Sequence, residues 1–365
     1  MARLMSKGCF ITKAVPKINY QPAKSRFQPR LGLIGCSGEA SFFALTAYIR
    51  AGYNIEVIYD PNTRRANEIR NKYLPSAEVA DHYGQILADP GIDIVDMGIN
   101  SPCMLEALEQ AIRVGKHVHC RECQLEHFPA LRQIAQAGRS KALLAICLPL
   151  LWSPGWRYLV QLVRQGYIGQ VESFNFQSLG NRRWTRRFLN ASTTPVPLAN
   201  FSLPWFNMVA DIMGGEIPLE VSVSVRRPQR FPARHPTLVY DGKITYSQAV
   251  ASLNLSTVSP TLEMDRSLVV GDRGIASLDI YSGWEQKIWL ARKGRICYPE
   301  IHGDIYPGAY HASMAELIQA VSLARQLENS VDSLAPGVAL LNAALNSLTD
   351  KPRYPEVDYY LLVKN

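Results

Sequence analysis

The eleven residues HVHCRECQLEH (His117–His127) carry three histidines, two cysteines and two glutamates, side chains that ligate metals or move protons. Cys120 and Cys123 have the spacing of zinc ligands, with His119 and His127 close by. A tetrahedral site needs its ligands on one side. Alternation along a strand sends His119 and Cys120 to opposite faces, and no second Cys-x-x-Cys completes the set. The expectation is therefore no metal. Glu122 is the candidate acid or base, provided burial raises its pKa.

A second stretch with chemical potential is IGCSGEA (Ile34–Ala40), placed between a short apolar run and a helical pattern. A dinucleotide fold puts its phosphate-binding turn there. The pattern is Gly35-x-Ser37-x-x-Ala40 against the usual Gly-x-Gly-x-x-Gly/Ala. Gly35 suits the tight turn, and Ala40 lets the helix lie close to the sheet. Ser37 replaces the glycine over which a pyrophosphate passes, with Gly38 beside it to allow a shifted loop. About twenty residues on, Asp60 ends the next strand. A carboxylate there accepts from a ribose 2′-hydroxyl and repels a 2′-phosphate, which favours NAD(H). Arg64 and Arg65 follow and leave NADP(H) open, and Asp60 also suits a cap for the helix after Pro61.

These residues need elements to hold them. RLGLIG, NIEVIYD, DIVDMGIN, KHVHC and ALLAIC read as short strands. Patterns of about a dozen residues at helical spacing separate most of them, with proline near several starts and glycine at several ends. That alternation indicates βαβ units and a parallel sheet. After about residue 150 one more helix precedes a strand-rich region. It includes VESFNFQSL, VSVSV and SLVVGDRGIASLDIY, the last with a hairpin signal at GDRG. Helical patterns at 313–326 and 337–348 close the chain. The fold class is α/β, an N-terminal Rossmann dinucleotide-binding domain (31–150) plus a C-terminal α+β domain (151–365) with an open, mostly antiparallel sheet.

Residues 1–30 carry seven basic side chains and no acidic one, which accounts for nearly all of the net charge of +8. The near-neutral remainder gives no basic surface for a nucleic acid. No apolar run reaches the length of a membrane span. Seven scattered cysteines indicate a reducing, cytoplasmic compartment rather than a disulfide scaffold. The basic arm reads as a transit peptide, a solvated tail, or an arm packed on a partner subunit.

With these pieces placed, residues 30 to 360 resemble the Gfo/Idh/MocA superfamily, the relatives of glucose–fructose oxidoreductase and inositol dehydrogenase. LGLIGCSGEA, NIEVIYDPNTRRA, DIVDMGINSPCMLEALEQAIRVGKHVHC and VRQGYIGQVESF carry the resemblance, supported by VVGDRGIASLD. It implies hydride transfer between NAD(P) and a small-molecule substrate, and homo-oligomers formed through the C-terminal sheet. It puts Asn100, Ser101 and Pro102 in the turn near the coenzyme. It also sets the run from Arg182 to Arg187 over the active-site cleft. There Arg182, Arg183, Arg186 and Arg187 suit a carboxylate or phosphate, and Trp184 a planar group. Tyr306, Tyr310 and His311 are further candidates for substrate contact or proton donation.

The chain departs from the family where the chemistry lies. The usual Glu-Lys-Pro is Arg121-Glu122-Cys123, so the lysine position holds Glu122. A histidine position holds Glu106. The His-x-x-Asp pair falls on Pro204 and Asn207, leaving Asn207 as a substrate contact. Oxidising an alcohol needs a base and a cation to steady the alkoxide. Glu122 cannot be that cation. Relatives without the lysine, such as those resembling biliverdin reductase or thiazolinyl imine reductase, reduce C=C or C=N bonds and need only an acid. The expectation is therefore NAD(P)-dependent reduction of an anionic or conjugated small molecule. The alternative is a non-redox protein that keeps the scaffold.

Overall fold

The computed structural model describes residues 10–22, 25–98, 102–139, 141–181, 202–226, 239–259 and 261–348. The chain divides into two compact units. The first contains β2 (Arg30–Ile34), α1 (Gly38–Ala51), β3 (Asn54–Tyr59), α2 (Thr63–Tyr73), β4 (Glu78–Val79), α3 (Tyr83–Ala88), β5 (Ile94–Gly98), α4 (Pro102–Arg113), β6 (His117–Glu122), α5 (Phe128–Gly138) and β7 (Leu144–Ile146). Its six strands are all parallel, in the order β4-β3-β2-β5-β6-β7. Counted from β2 this is 3-2-1-4-5-6, the Rossmann order. The strands are apolar runs because helices cover both faces. In β2, Leu31, Leu33 and Ile34 are buried, and Gly32 lies so close to Ile86 of α3 that no side chain fits there.

The second unit begins with β1 (Phe10–Ile11) and α6 (Pro154–Arg164), then β8 (Val171–Asn181), α7 (Leu203–Ile212), β9 (Glu220–Arg226), β10 (Val239–Thr245), β11 (Val250–Ser259), β12 (Met264–Gly271), β13 (Gly274–Tyr281), β14 (Glu285–Arg292) and β15 (Arg295–Cys297). These strands form one sheet in the order β1-β15-β14-β13-β12-β8-β11-β10-β9. It is antiparallel apart from the β8–β11 and β1–β15 pairs. The GDRG signal is the β12–β13 hairpin, with Gly271 opposite Gly274. Trp156 of α6 is fully buried with its ring 6.2 Å from that of Phe174 of β8, joining helix to sheet.

The described part of the basic arm docks on its own chain. β1 pairs with the β15 edge. The Tyr158 hydroxyl donates to the Pro16 carbonyl at 2.9 Å, and Tyr20 packs edge-on against Tyr158. These contacts give residues 10–20 a fixed place on the sheet edge and against α6.

Two helices close the chain, α8 (Tyr306–Leu323) and α9 (Val331–Ser347). Residues 305–334 belong with the Rossmann unit, not with the domain that the chain-order boundary near 150 assigns them to. The cause is the apolar face of α8. Met314, Leu317, Ile318 and Ala320 join Ala44, Ala47 and Tyr48 of α1 in one buried cluster. The helix also starts earlier than its pattern suggests, because Pro307 occupies the first turn, where a missing N–H costs nothing.

Candidate active site

The turn between β2 and α1 lies at the carboxyl edge of the parallel sheet, where the strand order reverses and α/β folds place ligands. Gly35 (φ 80°) and Gly38 (φ 87°) both occupy the left-handed region that side chains resist. The Gly35 N–H donates to the Tyr59 carbonyl at 2.7 Å, and the Cys36 N–H to Asp60 Oδ2 at 2.7 Å. Ser37 stands at the N-cap of the fourteen-residue α1 but makes no side-chain cap bond. A side chain on Gly38 would meet nothing within 4 Å. Ala40, half-buried in the first turn of α1, keeps that turn slim. An open turn leading into a helix N-terminus fits a pyrophosphate. Burial pushes the Cys36 thiol up to about 11, so it stays protonated and unreactive.

Asp60 departs from its expected role. Its side chain is almost wholly buried. Oδ2 accepts from Cys36 N, and Oδ1 accepts from Asn62 N at 2.8 Å. Arg65 Nη1 donates to both oxygens, at 3.1 and 3.3 Å. A carboxylate has about four acceptor positions, and all four are taken. Asp60 therefore ties the turn to the start of α2 and has no position left for a ribose. Arg65 also neutralises its charge, which removes the repulsion of a 2′-phosphate. Arg64, expected beside it, is exposed and pairs with Glu68 at 2.9 Å. The cap of α2 is Asn62, whose side chain accepts from Arg65 N.

Beneath the turn lies an ion pair that the sequence reading missed. β5 and β6 run in register from Ile94–His117 to Met97–Cys120, and then Gly98 faces Glu122. Arg121 is the extra residue of that bulge, a feature that re-aims side chains. Its guanidinium, 4% exposed, lies 3.0 Å from Asp96 Oδ2. Arg121 Nη2 donates to the Ile34 carbonyl at 3.1 Å and also to the Gly35 carbonyl. Burial opposes ionisation of Asp96. The Arg121 charge, with hydrogen bonds from His119 and Tyr48, outweighs it and holds the carboxyl below its ordinary range. The sequence did contain a signal: Asp96 is a carboxylate inside an otherwise apolar central strand, and such a group requires a partner.

The histidines of the opening stretch each have a protein partner. His117 Nδ1 accepts from Leu143 N, and His127 Nδ1 from Gln124 N. His119 lies between Asp96 Oδ1 (3.3 Å from Nδ1) and Ser313 Oγ (2.9 Å from Nε2). Asp96, His119 and Ser313 thus have the connectivity of a hydrolytic triad. All three are fully buried, and Asn329 Nδ2 donates to Ser313 Oγ at 2.9 Å. No substrate reaches that serine, so the set is a structural network.

Several expected site residues are elsewhere. Tyr310 is buried in the α1–α8 cluster. His311 packs on Tyr53, ring centroids 5.7 Å apart, next to the first residue of β3. The turn is at the other end of that six-residue strand, roughly 20 Å away. Burial holds the pKa of His311 below its ordinary value. Neither residue is placed for catalysis. Asn207, 3% exposed, donates from Nδ2 to the Leu203 carbonyl at 2.9 Å. Its amide is wedged against Gly337 of α9, where no side chain could fit. It locks two helices together rather than meeting a substrate. Glu122 ends β6 and Pro102 opens α4. Asn100, Ser101, Arg182, Arg183, Trp184, Arg186 and Arg187 lie outside the described residues.

Among the described residues of the second unit, Asp265 is a carboxyl of weakened acidity. Asp265 of β12 faces Ser178 of β8, whose hydroxyl donates to it at 2.5 Å. Burial raises its pKa to about 6, with Ser178 opposing and Glu263 adding to the shift. A raised folded pKa contributes stability below the unfolded value of about 3.9, which is lost as pH rises through the folded value. Asp265→Asn still accepts from Ser178. It is expected to be more stable than the parent at pH 7.5, by up to about 3 kcal/mol, with the difference shrinking toward pH 4. Urea unfolding at several pH values measures this. Equal stability at pH 7.5 would refute it.

No family model and no curated protein sequence matches this chain. Solved structures do match. An oxidoreductase from Agrobacterium radiobacter, in complex with NAD+, L-tartaric acid and magnesium, is 14% identical with a TM-score of 0.74, covering 90% of this chain and 99% of its own. The oxidoreductase TM0312 from Thermotoga maritima is 18% identical with a TM-score of 0.71, over 90% and 99%. The UDP-N-acetylglucosamine 3-dehydrogenase from Acidithiobacillus ferrooxidans is 18% identical with a TM-score of 0.68, over 88% and 97%. The chain has the fold of these oxidoreductases. At such identities the likeness extends to the fold and not to the residues of the site. Among the described residues, no helix is long and apolar enough to cross a membrane.

Proposed function

We propose that this protein is an NAD(P)-dependent oxidoreductase that reduces a small molecule at a C=C or C=N bond. The observation that carries the coenzyme is the open turn from Gly35 to Gly38 at the N-terminus of α1, on a sheet of Rossmann order. Gly35, Ser37 and Gly38 would hold the pyrophosphate, by backbone amides, by the Ser37 hydroxyl and by the helix dipole. When bound, the nicotinamide supplies the hydride. Asp60 is saturated and neutralised, so it gives no reason to prefer NAD(H) over NADP(H).

Among the described residues, the cation nearest the position of the missing lysine, Arg121, is committed elsewhere, which favours reduction over alcohol oxidation. The charge missing at position 122 reappears one residue earlier, on Arg121. There it is buried, paired with Asp96 and directed at backbone carbonyls. It cannot also steady a substrate alkoxide. Glu122, at the end of β6, is the candidate acid. The arginines around Trp184 are the candidates for an anionic substrate. The neighbour solved with NAD+ and tartrate, a dicarboxylate, is consistent with an anionic ligand on this fold.

Titration of the full chain with NADH and with NADPH, followed by coenzyme fluorescence, tests the reading. Binding of at least one below 100 µM, on the order of −5.5 kcal/mol, is expected. Absence of binding by either at millimolar concentration would turn the protein into a non-redox one on a shared scaffold.

A further inference from the structure

We propose that Arg121 is the positioning residue of the phosphate turn, holding its backbone path from below by a clamp anchored on Asp96. The consequence for coenzyme affinity rests on the reading above; the clamp itself does not.

The turn is intrinsically loose. Two of its four residues, Gly35 and Gly38, are glycines in the left-handed region, where glycine has many alternatives. The N–H groups of Gly35 and Cys36 are held from the β3 side, by Tyr59 and Asp60. Those two bonds act on donors only, so the peptide planes can still tilt. Arg121 acts on the opposite poles of the same planes. One Nη2 donates to the carbonyls of Ile34 and Gly35, the last strand residue and the first turn residue. With both poles held, the N–H groups of Ser37 and of the first turn of α1 keep a single direction.

The guanidinium suits this task in a way that a lysine does not. It is planar, and while Nη2 serves the carbonyls, Nη1 stays on Asp96 Oδ2 at 3.0 Å. Asp96 is itself fixed by His119, and His119 by Ser313 and Asn329. The clamp therefore stands on a network with no exposed member. The β-bulge at Arg121 brings it there: Cys120 still faces Met97, Glu122 faces Gly98, and the residue between is surplus to the ladder. Glu122 follows the surplus residue directly, so clamp and candidate acid share one local distortion.

Arg121→Lys separates clamping from charge. Lysine keeps a cation for Asp96, but its three N–H donors sit on one nitrogen and cannot fork between Asp96 and the two carbonyls as a guanidinium does. Two readouts on the full chain decide. Hydrogen exchange of a peptide covering 33–42 is expected to speed up at least fivefold in Arg121→Lys, with the peptide covering α2 unchanged and the melting temperature near that of the parent. The dissociation constants for NADH and NADPH are both expected to rise at least fivefold. Unchanged exchange over 33–42 overturns the clamp whatever the coenzyme does. Faster exchange with unchanged affinity overturns its role in binding. A parent that binds neither coenzyme removes the coenzyme reading and the affinity role, while the exchange result still decides the clamp. If Arg121→Lys fails to fold, Arg121→Gln combined with Asp96→Asn, which removes the fork without leaving a buried charge unpaired, is measured in the same way.

Discussion

Asp96→Ala is expected to lower stability by about 3–5 kcal/mol. The residue is fully buried, and removing it strands a guanidinium that is 4% exposed. Arg121 cannot escape by losing its proton. Burial favours the neutral form, but the charge of Asp96 more than offsets it in the parent, and an arginine stays protonated in any case. His119 and Tyr48 lose a partner in the same step. Replacing both ends at once, Asp96→Leu with Arg121→Met, is expected to cost far less than the single change, because no unpaired charge remains. The residual loss reflects the carbonyls of Ile34 and Gly35, which lose their donor. The pH dependence follows from the depressed pKa of Asp96. Its contribution is full above the unfolded value of about 3.9 and disappears as pH falls through the lower folded value. The double variant should therefore lose part of the acid-unfolding limb below pH 4. Urea denaturation followed by circular dichroism measures all three proteins. A single variant within about 1 kcal/mol of the parent would mean that the pair is solvated and weak.

The doubly wound sheet was legible because its signals are local. Proline at helix starts, glycine at helix ends and apolar strands set the rhythm, and a parallel sheet covered on both faces needs no further information. The late helix was legible as a helix but not as part of the first unit, because its apolar face does not say which unit covers it. Residues 239–245 and 250–259 form β10 and β11 without having been read as strands. Their alternation is mixed with Gly242, Asp241 and several serines. The site was read less completely, for two physical reasons. Asp60 was recognised by position, but its acceptors are filled by backbone amides of Cys36 and Asn62, and amide directions are not written in residue types. Arg121 stands where the sequence departs from the pattern of the family it resembles, yet its partner is twenty-five residues away and its orientation depends on a bulge. Asp96 was the one clue in plain view. Asn207 shows the opposite failure: a polar residue that the resemblance assigns to a substrate is spent on the helix backbone and on Gly337.

Asp60→Ala is expected to weaken NADH and NADPH alike, each by tenfold or more, about 1.4 kcal/mol. A carboxylate that held the ribose would behave differently. Its loss would weaken NADH alone and leave NADPH unchanged or improved, because a repulsive charge would go with it. The geometry favours the shared loss. Cys36 N and Asn62 N donate to opposite oxygens of Asp60, and Arg65 spans both. Alanine leaves those two amides without an acceptor and frees Arg65. The turn loses the Cys36 amide's tie on the donor side, and only the bonds of the Gly35 N–H and the Cys36 thiol to the Tyr59 carbonyl remain there. The two amides are part-buried, so leaving them unmet costs less than the roughly 1–3 kcal/mol of a fully buried donor, and a modest loss of stability accompanies the loss of affinity. Asp60→Asn tests the same point more gently. Its single carbonyl oxygen can accept from one of the two amides, while its NH2 group confronts the other with donor against donor. An intermediate loss for both coenzymes is therefore expected. Fluorescence titrations at a temperature where all variants are folded measure the ratio of NADH to NADPH affinity. A ratio that stays constant while both affinities fall marks Asp60 as a support of the turn. A ratio that swings toward NADPH would restore it as the ribose acceptor and would mean that Arg65 moves aside when the coenzyme binds.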